Sequence, residues 1–231
     1  MTRSETDSTV KSICLVLEQN DLISAGCDCQ VTSLSGDGSG RRFLRLACAG
    51  SPSFFAVLPD PDAPKGMAEA RASYLIGKHL GACNIPVPKI YAYDDHSGLI
   101  IFEDLGDLLL HQYLLDHHES SLSVQEYYKK AISALCRMQL NGKDDFDPAF
   151  CWDTPRYDRL LMLERESEYF MQAFCREYLG LHSFDQGLER EFAFLADRVA
   201  LEPADYLLHR DFQSRNLMIV DEEVRIIDFQ G

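Results

Sequence analysis

The sequence predicts an α+β fold, in which a sheet-forming N-terminal part precedes a mainly helical part. Three observations support this prediction. Short apolar or alternating segments, separated by glycine and proline turns, dominate residues 1–103. Apolar residues at helical spacing dominate residues 108–199. The chain then closes with an apolar strand-like segment, a charged loop and a β-hairpin pattern over residues 206–231.

Length and composition are those of a globular protein. The 231 residues suffice for one large or two modest domains, and 46% apolar and 26% charged residues are ordinary values. The 37 acidic residues outnumber the 22 basic ones, giving a net charge of −15. This balance argues against binding to nucleic acid or to anionic membranes, because both need basic surface. Without a signal-peptide or membrane-span pattern, we expect a soluble, cytoplasmic protein with no obligatory protein partner.

Eight cysteines are scattered through apolar segments of the chain. They form no CxxC pair, and only Cys27 and Cys29 lie close together in sequence. A zinc site requires clustered cysteine and histidine spacing. We therefore expect reduced, buried thiols rather than a metal centre.

The N-terminal part contains a glycine-rich loop between two predicted strands. The elements predicted around it are a helix over residues 8–20 and strands over 30–34, 43–47 and 54–58. Glycine lets a backbone approach a ligand closely, so the N–H groups of Gly38, Ser39 and Gly40 could face phosphates. The alternative interpretation is a flexible hairpin turn.

A second group of elements ends in a polar connector. A helix is predicted over residues 66–82, and strands over 91–93 and 99–102 follow a proline-rich break. The last strand runs directly into Glu103–Asp107, which reads EDLGD. Beyond this connector the pattern becomes helical.

Four helical segments are predicted after the connector. They cover residues 108–117, a helix opened by the capping box Ser123–Glu126, a long helix beginning at Asp153–Pro155, and a helix carrying Phe184 to Val199. In the second helix, Tyr128, Ile132, Leu135 and Met138 form the predicted core stripe.

The last segment of the chain carries the candidate catalytic and metal-binding residues. Tyr206–Leu208 predicts a strand, and two apolar segments flank an acidic turn. If residue 222 is the hairpin tip, Asn216 lies opposite Asp228, because paired positions in antiparallel strands sum to a constant. Two oxygen ligands at one end of a hairpin suit Mg²⁺, and Asp211 on the nearby loop suits a general base. This arrangement predicts a phosphoryl-transfer site.

The same letters resemble the protein-kinase signature. His209 to Asn216 reads HRDFQSRN, and Asp228-Phe229 follows. By this resemblance, Asp211 orients and deprotonates the acceptor hydroxyl, while Asn216 and Asp228 hold the metal ions that bridge the ATP phosphates.

The motif order is similar to the aminoglycoside-phosphotransferase-like branch of the kinases, and closer to bacterial cell-wall sugar kinases that act on the anomeric hydroxyl of N-acetylmuramate and N-acetylglucosamine. The segments that carry this resemblance are Gly36-Asp37, Arg41–Phe43, Glu103–Asp107, Thr154–Asp158, His209–Asn216 and Ile227–Gln230. The family implies a protein-kinase-like, two-lobed fold that uses ATP and Mg²⁺.

The implied lobes are a mixed-sheet N-lobe over residues 1–103, a hinge over 104–107 and a mainly helical C-lobe over 108–231. Backbone groups of the hinge would bind the adenine edge. The implied nucleotide-contacting residues are Gly38, Ser39, Gly40, Arg41, Arg42, Glu103 and Leu105.

Two departures from the family pattern stand out. The strand over 54–58 lacks the phosphate-binding lysine, so Arg41, Arg42 or Lys65 would have to replace it. Without that lysine, Glu69 is interpreted as an ordinary N-terminal helix acid rather than as its partner. The chain also ends three residues after Asp228. We therefore expect a C-lobe that is truncated, with exposed apolar helix faces and poor stability or activity.

The leading hypothesis is an ATP-dependent kinase for a hydroxyl of an amino sugar or related cell-wall sugar. An aminoglycoside, choline or another small alcohol is an alternative acceptor. A different class, a non-catalytic nucleotide-binding or scaffold protein, is favoured by the absent lysine and the abrupt ending. The intact set of Asp211, Asn216 and Asp228 opposes that alternative.

Overall fold

The computed structural model describes residues 3–34, 40–118, 121–181, 183 and 186–229. Two compact units are present: Met1–Asp153 with His209–Gly231, and Thr154–Leu208. The lobes and hinge that the sequence predicts follow a different division, and they stay predictions. No helix among the described residues has the length and apolar character needed to cross a membrane.

The first unit is built on a five-stranded sheet. Its strands are β1 (Cys29–Leu34), β2 (Arg42–Cys48), β3 (Phe54–Leu58), β4 (Ile90–Asp94) and β5 (Leu99–Glu103), in the order β1-β2-β3-β5-β4. Alternate residues of β3 are buried and half-buried, as expected for a strand covered on both faces to different degrees. All five strands lie within two residues of their predicted bounds.

The sheet is antiparallel throughout, which corrects the expectation of a mixed sheet. Every pair of neighbouring strands runs antiparallel. The reason is the connection between β3 and β5. A helix carries the chain back along the sheet, and β4 then forms the edge strand. The hairpin between β4 and β5 reverses the chain, so β5 lies antiparallel to β3. The α+β class itself is confirmed.

A helix covers each face of the sheet. Helix α1 (Arg3–Gln19) places Ile13 and Leu17 against one face, and both are fully buried. Burial of each such side chain is worth roughly 1.5–3 kcal/mol. Helix α2 (Gly66–Ala82), whose bounds match the prediction, packs Ala70 on the other face beside Ile100 and Phe102.

Two helices follow the sheet in the same unit. These are α3 (Leu110–Asp116) and α4 (Leu122–Asn141). The N-cap of α4 is Ser121, whose hydroxyl accepts a hydrogen bond from the Val124 N–H at 3.3 Å. The predicted capping box was therefore wrong by two residues, because Ser121 keeps an extended backbone whereas Ser123 is already helical.

The buried face of α4 also differs from the predicted stripe. Small side chains turn inward, whereas Tyr128 and Ile132 are 51% and 60% exposed. The buried residues are Val124, Ala131, Ala134 and Met138. Only Met138 belongs to both sets.

The second unit is mainly helical. Its elements are α5 (Arg159–Leu161), π-helical segments at Met162–Ser167 and Phe170–Tyr178, and α6 (Gln186–Val199). Asp158, rather than the predicted Asp153–Pro155, starts this helical run, since its carboxylate accepts from the Leu161 N–H at 3.0 Å. Many apolar side chains here are exposed, including Phe170, Phe174, Tyr178, Leu195 and Val199. The expected exposure of apolar helix faces is thus observed.

One disulfide was not expected from the sequence. Cys29 on β1 and Cys48 on β2 are directly paired across the two strands and are joined by a disulfide bond. The prediction of reduced thiols fails for these two residues, because strand register brings together cysteines that lie 19 positions apart.

Candidate functional site

A short hairpin presents the candidate catalytic residues. Strands β6 (Leu217–Val220) and β7 (Glu223–Ile226) are joined by Asp221 and Glu222, both with positive φ, 49° and 63°. This two-residue turn pairs residue 217 with 226, so the register is one residue off the prediction. Asn216 consequently lies opposite Ile227, whose N–H donates to the Asn216 carbonyl at 3.0 Å.

The residues before the hairpin form a loop rather than the predicted strand. Within the described chain, Tyr206–Leu208 has no strand partner, and Tyr206 and Leu208 are about half exposed. The hairpin, by contrast, is joined to the rest of the first unit by backbone hydrogen bonds. The Ile219 N–H donates to the Leu108 carbonyl at 2.8 Å, and the Ile226 N–H donates to the Pro86 carbonyl at 2.7 Å.

Two amides orient the carboxylate of Asp211. Asn216 Nδ2 donates to Asp211 Oδ2 and to the Asp211 carbonyl, both at 3.0 Å. Gln213 Nε2 donates to the same Oδ2 at 2.9 Å. Within the described residues, Oδ1 of Asp211 accepts no hydrogen bond, and the side chain is exposed. One oxygen is therefore fixed and the other faces solvent.

The buried side chain of His209 holds the backbone next to Asp228. It is 3% exposed, and its Nε2–H donates to the Ile227 carbonyl at 2.9 Å. Because a carbonyl only accepts, this bond requires the proton on Nε2. Burial lowers the pKa of His209 below its ordinary value, while the Ile227 bond and the carboxylates of Asp228 and Asp211 act against that shift.

Asp228 follows Ile227 in a constrained conformation. Its φ is 60°, in the left-handed region, and its side chain is accessible to solvent. Arg41 Nη2 lies 3.7 Å from Asp228 Oδ1. Arg210 also has a positive φ, 65°. Non-glycine residues in this region cost of order 1–3 kcal/mol each and persist only where surrounding contacts hold them.

The donor set suits a magnesium ion. Mg²⁺ is held in proteins by one or two side-chain oxygens together with water and substrate phosphates. Asp228 supplies a carboxylate, and Asn216 has its amide nitrogen bound to Asp211, which leaves its amide oxygen for a metal. Among the described residues there is no group of three or more His, Cys, Asp or Glu side chains suited to a metal. A site of two protein ligands completed by phosphates fits these residues.

The predicted phosphate-binding residues are placed unequally. Gly38 and Ser39 lie outside the described residues. A Cβ at Gly40 would overlap the carboxylate of Asp60, which lies in the loop after β3. Arg42 Nη1 donates to the Thr9 hydroxyl of α1 at 3.3 Å, whereas Arg41 reaches Asp228.

Lys65 is engaged elsewhere in the first unit. Its ammonium lies 4.0 Å from an Asp153 carboxylate oxygen and 5.0 Å from the ring centre of Trp152. Arg41, by contrast, contacts the Asp228 carboxylate at 3.7 Å.

The connector after β5 is held by an arginine that the sequence did not single out. Arg45 on β2 contacts Asp104 at 2.8 Å and Asp107 at 2.8 Å, and donates to the Gly106 carbonyl at 2.9 Å. The hydrogen bond to Arg45 holds the pKa of Asp107 below its ordinary value. Alternation in β2 indicated that Arg45 faces away from the buried Leu44, but nothing local in the sequence indicated its partners.

The two predicted adenine-edge residues flank this contact. The Glu103 N–H donates to the Lys89 carbonyl at 2.8 Å, and its carboxylate accepts from the Lys89 N–H at 3.0 Å. Glu103 and Leu105 are both half-buried. Their role in binding adenine stays a prediction.

An antiparallel sheet flanked by two helices and followed by this strained hairpin places the chain in the protein-kinase-like class of folds. A choline kinase from Streptococcus pneumoniae (LicA) shares this fold with a TM-score of 0.60 at 11% sequence identity, over 96% of this chain and 69% of that chain. Residues 30–231 match the Phosphotransferase enzyme family (APH). The match covers most of the sequence, so the chain belongs to this family.

Curated relatives are similar over most of this chain. The chain is 30% identical to the N-acetylmuramate/N-acetylglucosamine kinase of Pseudomonas putida over 87% of its own length and 54% of that protein. It is 29% identical to the kinase of the same name from Pseudomonas aeruginosa, over 85% of this chain and 53% of that protein. The chain thus spans about half the length of the curated relatives that it matches. The resemblance indicated by the motifs is confirmed.

Proposed function

We propose that this protein is part of an ATP-dependent kinase that transfers the γ-phosphoryl group to a hydroxyl of an amino sugar or a related cell-wall sugar. The observation that carries the proposal is the Asp211 carboxylate, oriented by Asn216 and Gln213 at the end of the hairpin that leads to Asp228. The family supports phosphoryl transfer, and the names of the two Pseudomonas relatives support an amino-sugar acceptor.

Asp211 acts as the general base in this proposal. Its Oδ2 is occupied by two amide donors, so Oδ1 accepts the proton of the acceptor hydroxyl. The fixed carboxylate also aligns the hydroxyl oxygen with the phosphorus atom. Proton transfer of this kind contributes about 10²–10⁴-fold in rate.

Asn216 and Asp228 hold the metal in this proposal, the first through its amide oxygen and the second through its carboxylate. Mg²⁺, when bound, neutralises charge on the β- and γ-phosphates. Arg41, within 3.7 Å of Asp228, takes the place of the strand lysine and pairs with a phosphate oxygen. The glycine-loop residues Gly38, Ser39 and Gly40 would add backbone N–H groups to the same phosphates.

The nucleotide base binds at the connector in this proposal. Backbone groups of Glu103 and Leu105 face the adenine edge, and the Arg45 contacts hold the connector in one conformation. Pre-organisation of this kind lowers the entropy lost on binding. A cytoplasmic location is part of the same proposal, because ATP is supplied there.

The test is ATP consumption with Mg²⁺, by a version of the protein that spans the full length of its curated relatives, against amino sugars, aminoglycosides and small alcohols, with the Asp211→Asn variant as a control. We expect turnover with N-acetylated amino sugars. Asp211→Asn should lower turnover by at least about 10²-fold and leave Mg·ATP affinity intact.

Three results would count against the proposal in different ways. Preferential turnover of an aminoglycoside or choline would replace the proposed acceptor. Mg·ATP binding without turnover of any acceptor would favour a non-catalytic nucleotide-binding protein. Full activity of Asp211→Asn would refute the assignment of the base.

A further inference from the structure

Gly77 lies within α2 at a position where a side chain would meet Phe229. A Cβ there would lie 3.1 Å from both Cε2 and Cζ of the Phe229 ring and 2.6 Å from Cδ1 of Ile90. Glycine weakens a helix interior relative to alanine, and α2 uses alanine at two other buried positions, Ala70 and Ala72. The absence of a side chain at residue 77 therefore allows the close approach of both the Ile90 methyl group and the Phe229 ring.

Phe229 directly follows Asp228, whose φ of 60° is disfavoured for a residue with a side chain. Such a conformation persists only where surrounding contacts determine it. On one side of Asp228, Ile227 is held by its N–H bond to the Asn216 carbonyl at 3.0 Å and by the His209 bond to its own carbonyl at 2.9 Å. On the other side, Phe229 is 6% exposed and packs on α2.

We infer that Gly77 is a positioning residue, which seats Phe229 against α2 and so keeps Asp228 in the left-handed conformation. The carboxylate of Asp228 is thereby held beside Arg41 and at the end of the hairpin that carries Asn216. The coupling between Gly77 and Asp228 stands on these contacts alone. Only its consequence for metal and nucleotide rests on the proposed function.

An alanine at residue 77 has two neighbours that respond differently. The terminal methyl of Ile90 can rotate away, because it is the end of a flexible side chain. The Phe229 ring is rigid and buried, so it must shift by a few tenths of an ångström and carry its backbone with it. The displaced backbone is that of Asp228 and Phe229.

Gly81 is a matched control one turn further along the same helix. A Cβ at Gly81 would meet no atom within 4 Å in the described part of the chain. Gly77→Ala and Gly81→Ala each remove one glycine from α2, so both raise its helix propensity. The two variants differ in the contact with Phe229.

The first measurement is hydrogen exchange at the Ile227 amide, which is bonded to Asn216. We expect Gly77→Ala to speed this exchange by about tenfold or more, because the anchored segment opens more readily, whereas Gly81→Ala should leave it within about twofold. Equal exchange rates in the two variants would overturn the inference, whatever the protein binds.

The second measurement is the dissociation constant for Mg·ATP. We expect Gly77→Ala to raise it by about tenfold and Gly81→Ala to leave it unchanged, since loss of support for a metal ligand typically weakens binding by about 10–100-fold. In a Phe229→Leu background, Gly77→Ala should add little, because the two changes act through one contact. Additive effects of the two substitutions on the dissociation constant would contradict an effect of residue 77 through Phe229.

The two hypotheses fail in different ways. If the unaltered protein bound no Mg·ATP while Gly77→Ala still released the Ile227 amide, the proposed function would fail and the positioning role would stand. Should Gly77→Ala fail to fold, the double variant Gly77→Ala/Phe229→Leu decides. Recovery of the folded state supports the contact, and failure to recover refutes it.

Discussion

The side-chain amide of Asn216 donates to both the carbonyl and the carboxylate of Asp211, each at 3.0 Å. One residue thus orients the proposed base while its amide oxygen is left for the proposed metal. Gln213 shares only the first of these tasks, because it donates to Asp211 Oδ2 at 2.9 Å and has no place in the metal site. Gln213 therefore contributes only to orientation of the proposed base, whereas Asn216 contributes both to that orientation and to the proposed nucleotide site.

Gln213→Leu and Asn216→Leu should therefore differ in kind. We expect Gln213→Leu to lower kcat by about tenfold without changing the Kd for Mg·ATP, and Asn216→Leu to lower kcat further and to weaken Mg·ATP binding by about 10–100-fold. Calorimetric titration with Mg·ATP and steady-state kinetics measure the two effects. Weakened nucleotide binding in Gln213→Leu would contradict this separation.

Arg41 and Arg42 provide a second matched pair. Arg41 lies against Asp228, and Arg42 donates to Thr9 on α1. A hydrogen bond to a charged phosphate is worth about 1.5–3 kcal/mol. We expect Arg41→Gln to raise the Kd for Mg·ATP by about 10–100-fold, and Arg42→Gln to change stability by about 1 kcal/mol with little effect on binding. The reverse pattern would identify Arg42 as the phosphate ligand.

The extent to which the sequence predicted the fold depends on how local each signal was. Strand alternation and helix periodicity placed β3 and α2 at their observed bounds, because each depends on neighbouring residues. The face of α4 was mispredicted, since its buried contacts are made by small residues such as Ala131 and Ala134 while the larger Ile132 is exposed. The size of the apolar side chains therefore did not predict which face of α4 is buried.

The candidate site shows the same limit. The motif letters predicted roles for Asp211, Asn216 and Asp228, but the turn was taken to be one residue longer than it is. Asp221 and Glu222 both adopt positive φ, which a turn without glycine rarely does, so sequence rules did not favour a two-residue turn. The contacts of Arg45 with Asp104 and of Gly77 with Phe229 join residues far apart in sequence, so no local pattern predicts them.

Arg45 and Asp104 should dominate the stability of the connector. The Asp104 side chain is 5% exposed and the Asp107 side chain is 80% exposed, although both contact Arg45. Arg45→Met leaves a buried carboxylate without its cation and should cost about 3–5 kcal/mol. Asp107→Asn removes an exposed partner and should cost no more than about 1 kcal/mol. Urea unfolding measures both.

The double variant Arg45→Met/Asp104→Leu is the control for that prediction. It removes the buried charge together with its partner, so it should recover most of the stability lost in Arg45→Met. If Asp104→Leu gave no recovery, the loss would come from the hydrogen bonds of Gly106, which donates to Asp104 and accepts from Arg45, rather than from the buried ion pair.

The Cys29–Cys48 disulfide should stabilise the β1–β2 hairpin. A loop of this length, closed between positions 19 residues apart, is worth about 3 kcal/mol when the bond constrains the unfolded chain. Cys29→Ser/Cys48→Ser should lower the free energy of unfolding by about that amount in urea titrations. The control is Cys136→Ser, which alters an exposed free thiol and should leave stability unchanged. Equal stability of the double variant and the unaltered protein would show that the bond does not form in solution.

His209 should make stability depend on pH in the mildly acidic range. Burial lowers its folded-state pKa below 6.5, the ordinary value, so the unfolded chain binds the proton more readily than the folded protein does. Stability from this residue is therefore complete above pH of about 6.5 and is lost as pH falls towards the folded-state pKa, with a slope of at most about 1.4 kcal/mol per pH unit for one proton. The measurement is the free energy of unfolding between pH of about 5 and 8, compared with His209→Gln, which keeps an N–H donor for the Ile227 carbonyl but does not titrate. We expect the variant to have a flatter profile below pH of about 6.5, and an identical slope in both proteins would assign the pH dependence to other groups.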